Sequence, residues 1–194
     1  MNRIEAVYSI YILFFLLLVG LVLWVPFWAF DNDAEGVYGA FRWACHQKLS
    51  RSLCLFNDEG TYSIADCTGQ NGEYVPGDQN DIRVERNGII GYKLAVCARD
   101  FGLYAALLIG GLIYPLVRRL DDRAVYPGIY LVIAMIPIGL DGGLQFISDI
   151  LIAGGGSSFV YESTNLSRLI TGAIAGLASS FYAIPILINM VSKD

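Results

Sequence analysis

Charged residues are scarce in this chain, and four long stretches contain none. Only 16% of the 194 residues are charged and 55% are hydrophobic, which gives a mean hydropathy of +0.52. The uncharged runs are 6–30, 101–117, 124–140 and 169–191. About 20 apolar residues span the core of a bilayer, so this scarcity excludes an ordinary soluble domain. We therefore predict one all-α membrane domain over residues 1–194, a bundle of four transmembrane helices at about 6–30, 101–117, 125–153 and 164–191.

Basic runs are also missing, and there is one histidine. The net charge is −5, and most of the charged residues lie in one loop. A chain without a basic patch is not expected to bind nucleic acid. The partners that remain are membrane lipid, other membrane proteins and a second copy of the chain in a homo-oligomer.

The one long polar segment, residues 31–100, is predicted to be an extracytoplasmic loop inserted between the first two spans. It contains all four cysteines, Cys45, Cys54, Cys67 and Cys97. Turn signals such as Asn87-Gly88 favour a small looped or hairpin structure within it.

The orientation in the membrane follows from the arginines of a short loop. Residues 118–123 contain three arginines, and short loops rich in lysine or arginine stay in the cytoplasm. Four spans then place the N- and C-termini in the cytoplasm as well. We expect a multi-pass protein of the cell membrane whose cysteine-containing loop and 154–163 turn face outward.

The third and fourth predicted spans contain polar residues that a lipid-facing helix should not have. Asp141, Gln145 and Asp149 are four residues apart, and this spacing places them on one helix face. At 1.5 Å per residue, Asp149 and Arg168 both lie roughly 6 Å from the outer helix ends, and Asp141 roughly 18 Å deep. Ionisable groups in a membrane are costly and usually face a bundle interior, a cavity or a partner.

These polar residues have two interpretations. In the structural one, Asp149 and Arg168 form an ion pair that clamps the helices together. In the functional one, they line a polar pocket that opens outward, where Asp141 acts as acid or base and Arg168 holds an anion. Gln145 and Asn165 then orient the substrate and complete the candidate catalytic set. The candidate substrate-binding residues are Arg99, Asp149, Glu162, Ser163, Thr164 and Thr171.

Asp141 favours the functional interpretation, because these runs contain no basic residue at its depth. An unpaired carboxylate suits proton transfer or cation binding. At the start of the fourth span, Ser163 or Thr164 is suited to cap the helix.

The cysteines form a second candidate site. Cys45 and His46 lie next to one membrane boundary, and Cys97 and Asp100 next to another on the same side. Their side chains are suitable zinc ligands in kind and number, which makes zinc a candidate cofactor. A Cys45–Cys97 disulfide, in which His46 takes no part, is the favoured interpretation, because the outside space is usually oxidising. Cys54 and Cys67 flank a short loop and suit a bridge of their own; four cysteines allow three pairings.

These residues form an ordered series that resembles the small membrane-protein family known as domain of unknown function 2085 (DUF2085). The series is Cys45-His46-Gln47, Arg51-Ser52, Val96-Cys97-Ala98-Arg99-Asp100-x-Gly102-x-Tyr104, Asp141-Gly142-x-x-Gln145 and Glu162-Ser163-Thr164-Asn165-x-x-Arg168-x-x-Thr171-Gly172. The resemblance covers the chain after the first span, except for an insert that contains Cys54 and Cys67. Family members usually have a second cysteine where this chain has Asp100, and their Cys-His and Cys-x-x-Cys pairs resemble a four-ligand metal site. The resemblance implies a shared pocket and brings no assigned activity.

Two classes of function therefore remain, with a third less favoured. The first is a membrane-embedded enzyme or binding protein for a lipid-like or anionic substrate. The second is a non-catalytic accessory subunit of a larger membrane complex. A small transporter comes third, because four spans without an evident inverted repeat argue against it.

Overall fold

The computed structural model describes residues 2–42, 45, 48–68, 81–155 and 161–191. Four of its helices are long and apolar enough to cross a membrane: α1 (Arg3–Ala29), α3 (Ala98–Val117), α4 (Gly128–Ala153) and α5 (Asn165–Val191). Their number agrees with the four predicted spans, and their ends differ from the predicted ends by a few residues. A short helix, α2 (Glu35–Phe41), and a 3₁₀ turn (Leu49–Arg51) follow α1.

Helix α1 begins at a reciprocal cap and is fixed to α3 by tyrosines. The Asn2 side chain accepts from the Ile4 amide, while Glu5 accepts from the Asn2 amide, which is a capping-box arrangement. Further along, the Tyr8 and Tyr11 hydroxyls each donate, at 3.0 Å, to carbonyl oxygens of α3. An apolar helix in lipid gains little from hydrophobic contact alone, so these bonds help to fix its position.

Helices α3 and α5 touch through glycines, which brings their backbones unusually close. A Cβ added to Gly102 would lie 2.3 Å from the Leu169 carbonyl oxygen, and one added to Gly172 would lie 2.1 Å from the Arg99 carbonyl oxygen. Gly176 makes the same kind of contact with α3. Small residues at such spacing permit close helix packing in membranes, and this packing places Arg99 beside α5.

The insert between α1 and α3 contains a four-stranded antiparallel sheet, so the all-α prediction is wrong for this segment. Its strands are β1 (Leu53–Asp58), β2 (Thr61–Asp66), β3 (Arg83–Arg86) and β4 (Ile89–Lys93), in the order β2-β1-β4-β3. The β3–β4 turn is Asn87-Gly88, and both residues have positive φ, as tight hairpins require. The predicted hairpin signal is confirmed there.

A disulfide joins the start of β1 to the end of β2. The sulfur atoms of Cys54 and Cys67 are 2.07 Å apart, which agrees with the predicted bridge. The other two cysteines carry thiols instead. One of them, Cys45, is buried in a hydrophobic core between the C-terminal end of α1, α2 and the segment that follows β4. This core brings Cys45 next to the first residues of α3.

Candidate functional site

Helix α4 is unusual because its buried residues are polar. The buried positions within α4 are Asp141, Gln145 and Ser148, whereas most of its large apolar side chains lie on the exposed faces. The spacing of four and three residues places the buried ones on a single helix face. In a bilayer this is the expected arrangement for a helix held to its neighbours by hydrogen bonds and ion pairs.

The buried face of α4 meets charged residues from four other segments, and we call the whole group the polar cluster. Asp141, Gln145 and Asp149 come from α4, Arg99 from α3 and Arg168 from α5. Lys48 is the residue before the 3₁₀ turn and Arg51 is the last residue of that turn. Glu162 comes from the segment before α5. The members are Lys48, Arg51, Arg99, Asp141, Gln145, Asp149, Glu162 and Arg168.

The end of the polar cluster nearest the middle of α4 is the pair Arg99–Asp141. Arg99 Nη2 donates to Asp141 Oδ2 at 2.5 Å and lies 3.3 Å from Gln145 Oε1. The Tyr161 hydroxyl donates to the other carboxylate oxygen of Asp141 at 3.1 Å. Thr171 Oγ1 is 3.5 Å from Asp141 Oδ2. The expectation that Asp141 has no basic partner is wrong, because Arg99 reaches it from the first turn of α3.

Glu162 is the centre of the polar cluster. Its Oε1 atom accepts from Arg168, from Arg51 Nε at 3.3 Å and from Gln145 Nε2 at 2.8 Å. Arg168 is only 1% exposed and also donates to Asn165 Oδ1 at 2.9 Å. Arg168 also donates to the Ser50 carbonyl oxygen at 3.2 Å. Glu162 therefore neutralises a guanidinium that water does not reach.

The end of the polar cluster nearest the C-terminus of α4 is the pair Arg51–Asp149. Arg51 Nη2 donates to the two carboxylate oxygens of Asp149 at 3.2 and 2.9 Å. Lys48 Nζ lies 3.9 Å from Asp149 Oδ2. Burial disfavours charge on Arg51, but its bonds to Asp149 and Glu162 outweigh it and raise the pKa of Arg51. The expected Asp149–Arg168 pair is wrong: Arg51 occupies the position beside Asp149.

The remaining predicted site residues lie around α5. The Thr164 hydroxyl accepts from the Ser167 amide at 3.1 Å, so Thr164 is the helix cap and not a member of the polar cluster. Ser163 is buried, between Glu162 and this cap. The Asn165 side-chain amide donates to the Ser52 carbonyl oxygen at 3.2 Å. Asn165 therefore connects α5 to the segment that also supplies Arg51.

Sequence reasoning missed two members of the polar cluster, Lys48 and Arg51, and also Tyr161, which donates to Asp141. The first two lie in the insert, 101 and 98 residues before their α4 partner Asp149, where no helical spacing relates them to it. Tyr161 lies in the connection before α5, outside any periodic pattern. One signal was present: Arg51-Ser52 belongs to the ordered motif series, although its role was not assigned.

The polar cluster contains more positive than negative charge. Four basic side chains face three carboxylates in the part of the chain that the structure describes. The Nε atoms of Arg99 and Arg168 are buried and make no hydrogen bond. Both features suit an additional anion, because a buried donor without an acceptor is costly.

The second candidate site lies at the start of α3. Cys97 Sγ is 2.9 Å from Asp100 Oδ2, and the Cys97 amide donates to Cys45 Sγ at 3.1 Å. The hydrogen bond to Cys45, burial and the Asp100 carboxylate raise the pKa of Cys97 well above its usual range. The predicted ligand His46 lies outside the described residues.

Comparison with known proteins places much of the polar cluster in a shared region. Residues 84–182 match the family described as "Predicted membrane protein (DUF2085)". An uncharacterized protein of Methanocaldococcus jannaschii is 43% identical over 105 residues. That alignment covers 54% of this chain and 60% of the relative. No solved structure matches the chain.

Proposed function

The chain belongs to the DUF2085 family of predicted membrane proteins, and we propose that its polar cluster binds the anionic group of a lipid-like substrate. One observation carries this proposal. Four basic side chains face three carboxylates, and Arg99 and Arg168 keep unpartnered, buried Nε donors. Uncompensated charge away from water is costly, so a bound phosphate or carboxylate group would stabilise the site.

Arg99 is the residue that meets the ligand in this proposal. Its side chain is 21% exposed, whereas Arg168 is enclosed by Glu162, Asn165 and the 3₁₀ turn. A Cβ on Gly142 would lie 3.3 Å from Arg99 Nη1, so the absence of a side chain at this position leaves room beside the guanidinium. Asp141 and Gln145 then orient the Arg99 guanidinium, and Arg168 adds positive charge to the site without contacting the ligand.

The position of the cluster along α4 suits a molecule that lies in the membrane. Asp149 is four residues from the end of α4 and Asp141 is twelve, which corresponds to about 6 and 18 Å of helix. The cluster therefore runs from the interface toward the bilayer centre. A lipid headgroup entering from the side would reach Arg99 while its acyl chains remained in hydrocarbon.

We further propose that this end of the bundle faces outward in the cell membrane. The loop at the opposite end contains Arg118, Arg119 and Arg123, and such short basic loops remain in the cytoplasm. Both termini would then be cytoplasmic. The sheet with its disulfide would lie on the outer, oxidising side, where such bonds persist.

Binding can be tested with three probes on the purified protein in a neutral detergent. These are a short-chain phosphatidic acid, inorganic phosphate and the uncharged short-chain diacylglycerol. We expect phosphatidic acid to bind, and Arg99→Gln to weaken it about 10- to 100-fold, because a charge-assisted hydrogen bond contributes about 1.5–3 kcal/mol. The control is Arg119→Gln, since Arg119 is 87% exposed at the other end of the bundle.

The three probes separate the sources of the anionic group. Binding of phosphatidic acid alone supports a lipid ligand, and equal binding of inorganic phosphate supports a small anion at the same residues. The proposal fails if neither anion binds, or if Arg99→Gln and Arg119→Gln bind phosphatidic acid equally well.

An accessory-subunit function is the alternative, and the exposed apolar surface of α4 favours it. Helix α4 is the least buried of the four candidate spans, so much of its apolar surface is left for lipid or another protein. In that case the polar cluster only holds α4 in place. The alternative predicts a larger complex when the protein is extracted in mild detergent, with wild-type size retained by Arg99→Gln.

A further inference from the structure

Cys45, Cys97 and Asp100 converge from two separate parts of the chain. Cys97 is the residue before α3, and Asp100 lies in the first turn of that helix, three positions later on the same face. Cys45 lies between α2 and the 3₁₀ turn. The hydrophobic core around Val25, Tyr38 and Leu94 encloses it.

We propose that these three residues bind a divalent cation of the zinc type. One ligand atom from each lies within 4.8 Å of the others. Zn–S bonds of about 2.3 Å and Zn–O bonds of about 2.1 Å place tetrahedral ligand atoms roughly 3.5–3.8 Å apart. The observed group therefore needs only small side-chain movements to surround an ion.

The chemistry of the ligands favours zinc over magnesium or calcium. Two sulfur ligands suit soft and borderline cations, whereas Mg²⁺ and Ca²⁺ prefer oxygen alone. When an ion binds, the two cysteines lose their thiol protons. The divalent cation then offsets the negative charge of two thiolates and a carboxylate in a partly buried position. With three ligands among the described residues, a fourth tetrahedral position is left for a further group.

The site is distinct from both the polar cluster and the disulfide. Arg99, between Cys97 and Asp100, points to Asp141 on α4, whereas Cys97 and Asp100 face Cys45. The Cys54–Cys67 bridge lies in the sheet. It therefore provides a matched control, since its cysteines come from the same insert but take no part in the proposed site.

The first experiment measures bound metal in protein purified without added zinc or chelator. We expect about one zinc per chain, at least a 10-fold lower content in Cys97→Ser and in Cys45→Ser, and unchanged content in the Cys54→Ser/Cys67→Ser double variant. Asp100→Asn should lower the affinity in a competition titration while leaving the stoichiometry near one. Replacement by Co²⁺ should give thiolate-to-cobalt charge-transfer absorption, which is lost in Cys97→Ser.

A second experiment uses the wild-type chain, in case the serine variants do not fold. Thiol alkylation of the detergent-solubilised protein is followed by mass mapping, with and without a zinc chelator. We expect Cys45 and Cys97 to be modified at least 10 times faster with the chelator. A Cys45–Cys97 disulfide in unreduced protein, chelator-independent alkylation, or zinc retained by the Cys45→Ser/Cys97→Ser double variant would each overturn the proposal.

Discussion

The Glu162–Arg168 pair gives the sharpest test of how the polar cluster contributes to stability. Arg168 is 1% exposed, and Glu162 is its carboxylate partner. Its other acceptors, Asn165 Oδ1 and the Ser50 carbonyl oxygen, are neutral. Replacing Glu162 with Gln retains the shape and an acceptor oxygen but leaves the guanidinium charge uncompensated.

The expected cost follows from burial and from the remaining contacts. Removing one partner of a buried ion pair costs about 3–5 kcal/mol, and Glu162→Gln should fall near the lower end because the amide oxygen still accepts a hydrogen bond. Arg168→Met removes the guanidinium charge. It leaves the Asn165 and Ser50 acceptors without this donor, at a cost of about 1–3 kcal/mol for each acceptor. In the Glu162→Gln/Arg168→Met double variant neither charge is left without its partner, so its cost should be smaller than the sum of the two single costs. The coupling energy should be about 1–3 kcal/mol.

The assay is a double-mutant cycle on the free energy of unfolding, measured by denaturant titration of the protein in detergent. The matched control is the Arg119→Met and Asp121→Asn cycle, since that pair is 87% and 61% exposed and should couple by less than about 1 kcal/mol. A Glu162–Arg168 coupling as small as the control would refute the reasoning. So would a larger coupling between Arg168 and Asp149, whose basic contacts are Arg51 and Lys48.

Two further predictions concern the insert and the helix packing. Mass mapping of unreduced protein should find Cys54 joined to Cys67; two reduced thiols in protein kept from reductant would contradict both the bridge and the proposed outward position of the sheet. Gly176→Ala should lower the free energy of unfolding by about 1–3 kcal/mol, because the new Cβ would lie 2.2 Å from the Leu103 carbonyl oxygen of α3. Gly20→Ala, with no atom within 4 Å of its Cβ, should cost nothing measurable, and equal losses in the two variants would disprove the close-packing argument.

The helices and the insert differ in how far the sequence predicts them. A transmembrane helix satisfies its own backbone hydrogen bonds, so length and apolarity were enough to locate α1, α3, α4 and α5. The sheet needs pairing between separate segments, such as Cys54 opposite Lys93. The sequence signals for it were limited to local turns such as Asn87-Gly88. This is why the insert was predicted as a loop or hairpin and the fold as all-α.

The candidate site shows the same division at the level of side chains. Helical spacing was enough to select Asp141 and Gln145, because residues four apart share a face in any α-helix. The partners were assigned incorrectly. Depth along α4 and α5 suggested Arg168 for Asp149 and no partner for Asp141, whereas Arg51 and Arg99 occupy those positions.

The sequence by itself determined the number of candidate spans, the polar face of α4 and the types of side chain near Cys97, because these depend on composition and local periodicity. The tertiary structure decided which charges meet. Arg99 reaches Asp141 across 42 residues of sequence because glycines let α3 and α5 approach closely. Arg51 reaches Asp149 across 98 residues because the insert places the 3₁₀ turn beside the C-terminal end of α4. Such contacts depend on how close separate chain segments lie in space. The spacing of residues along one helix does not specify that distance.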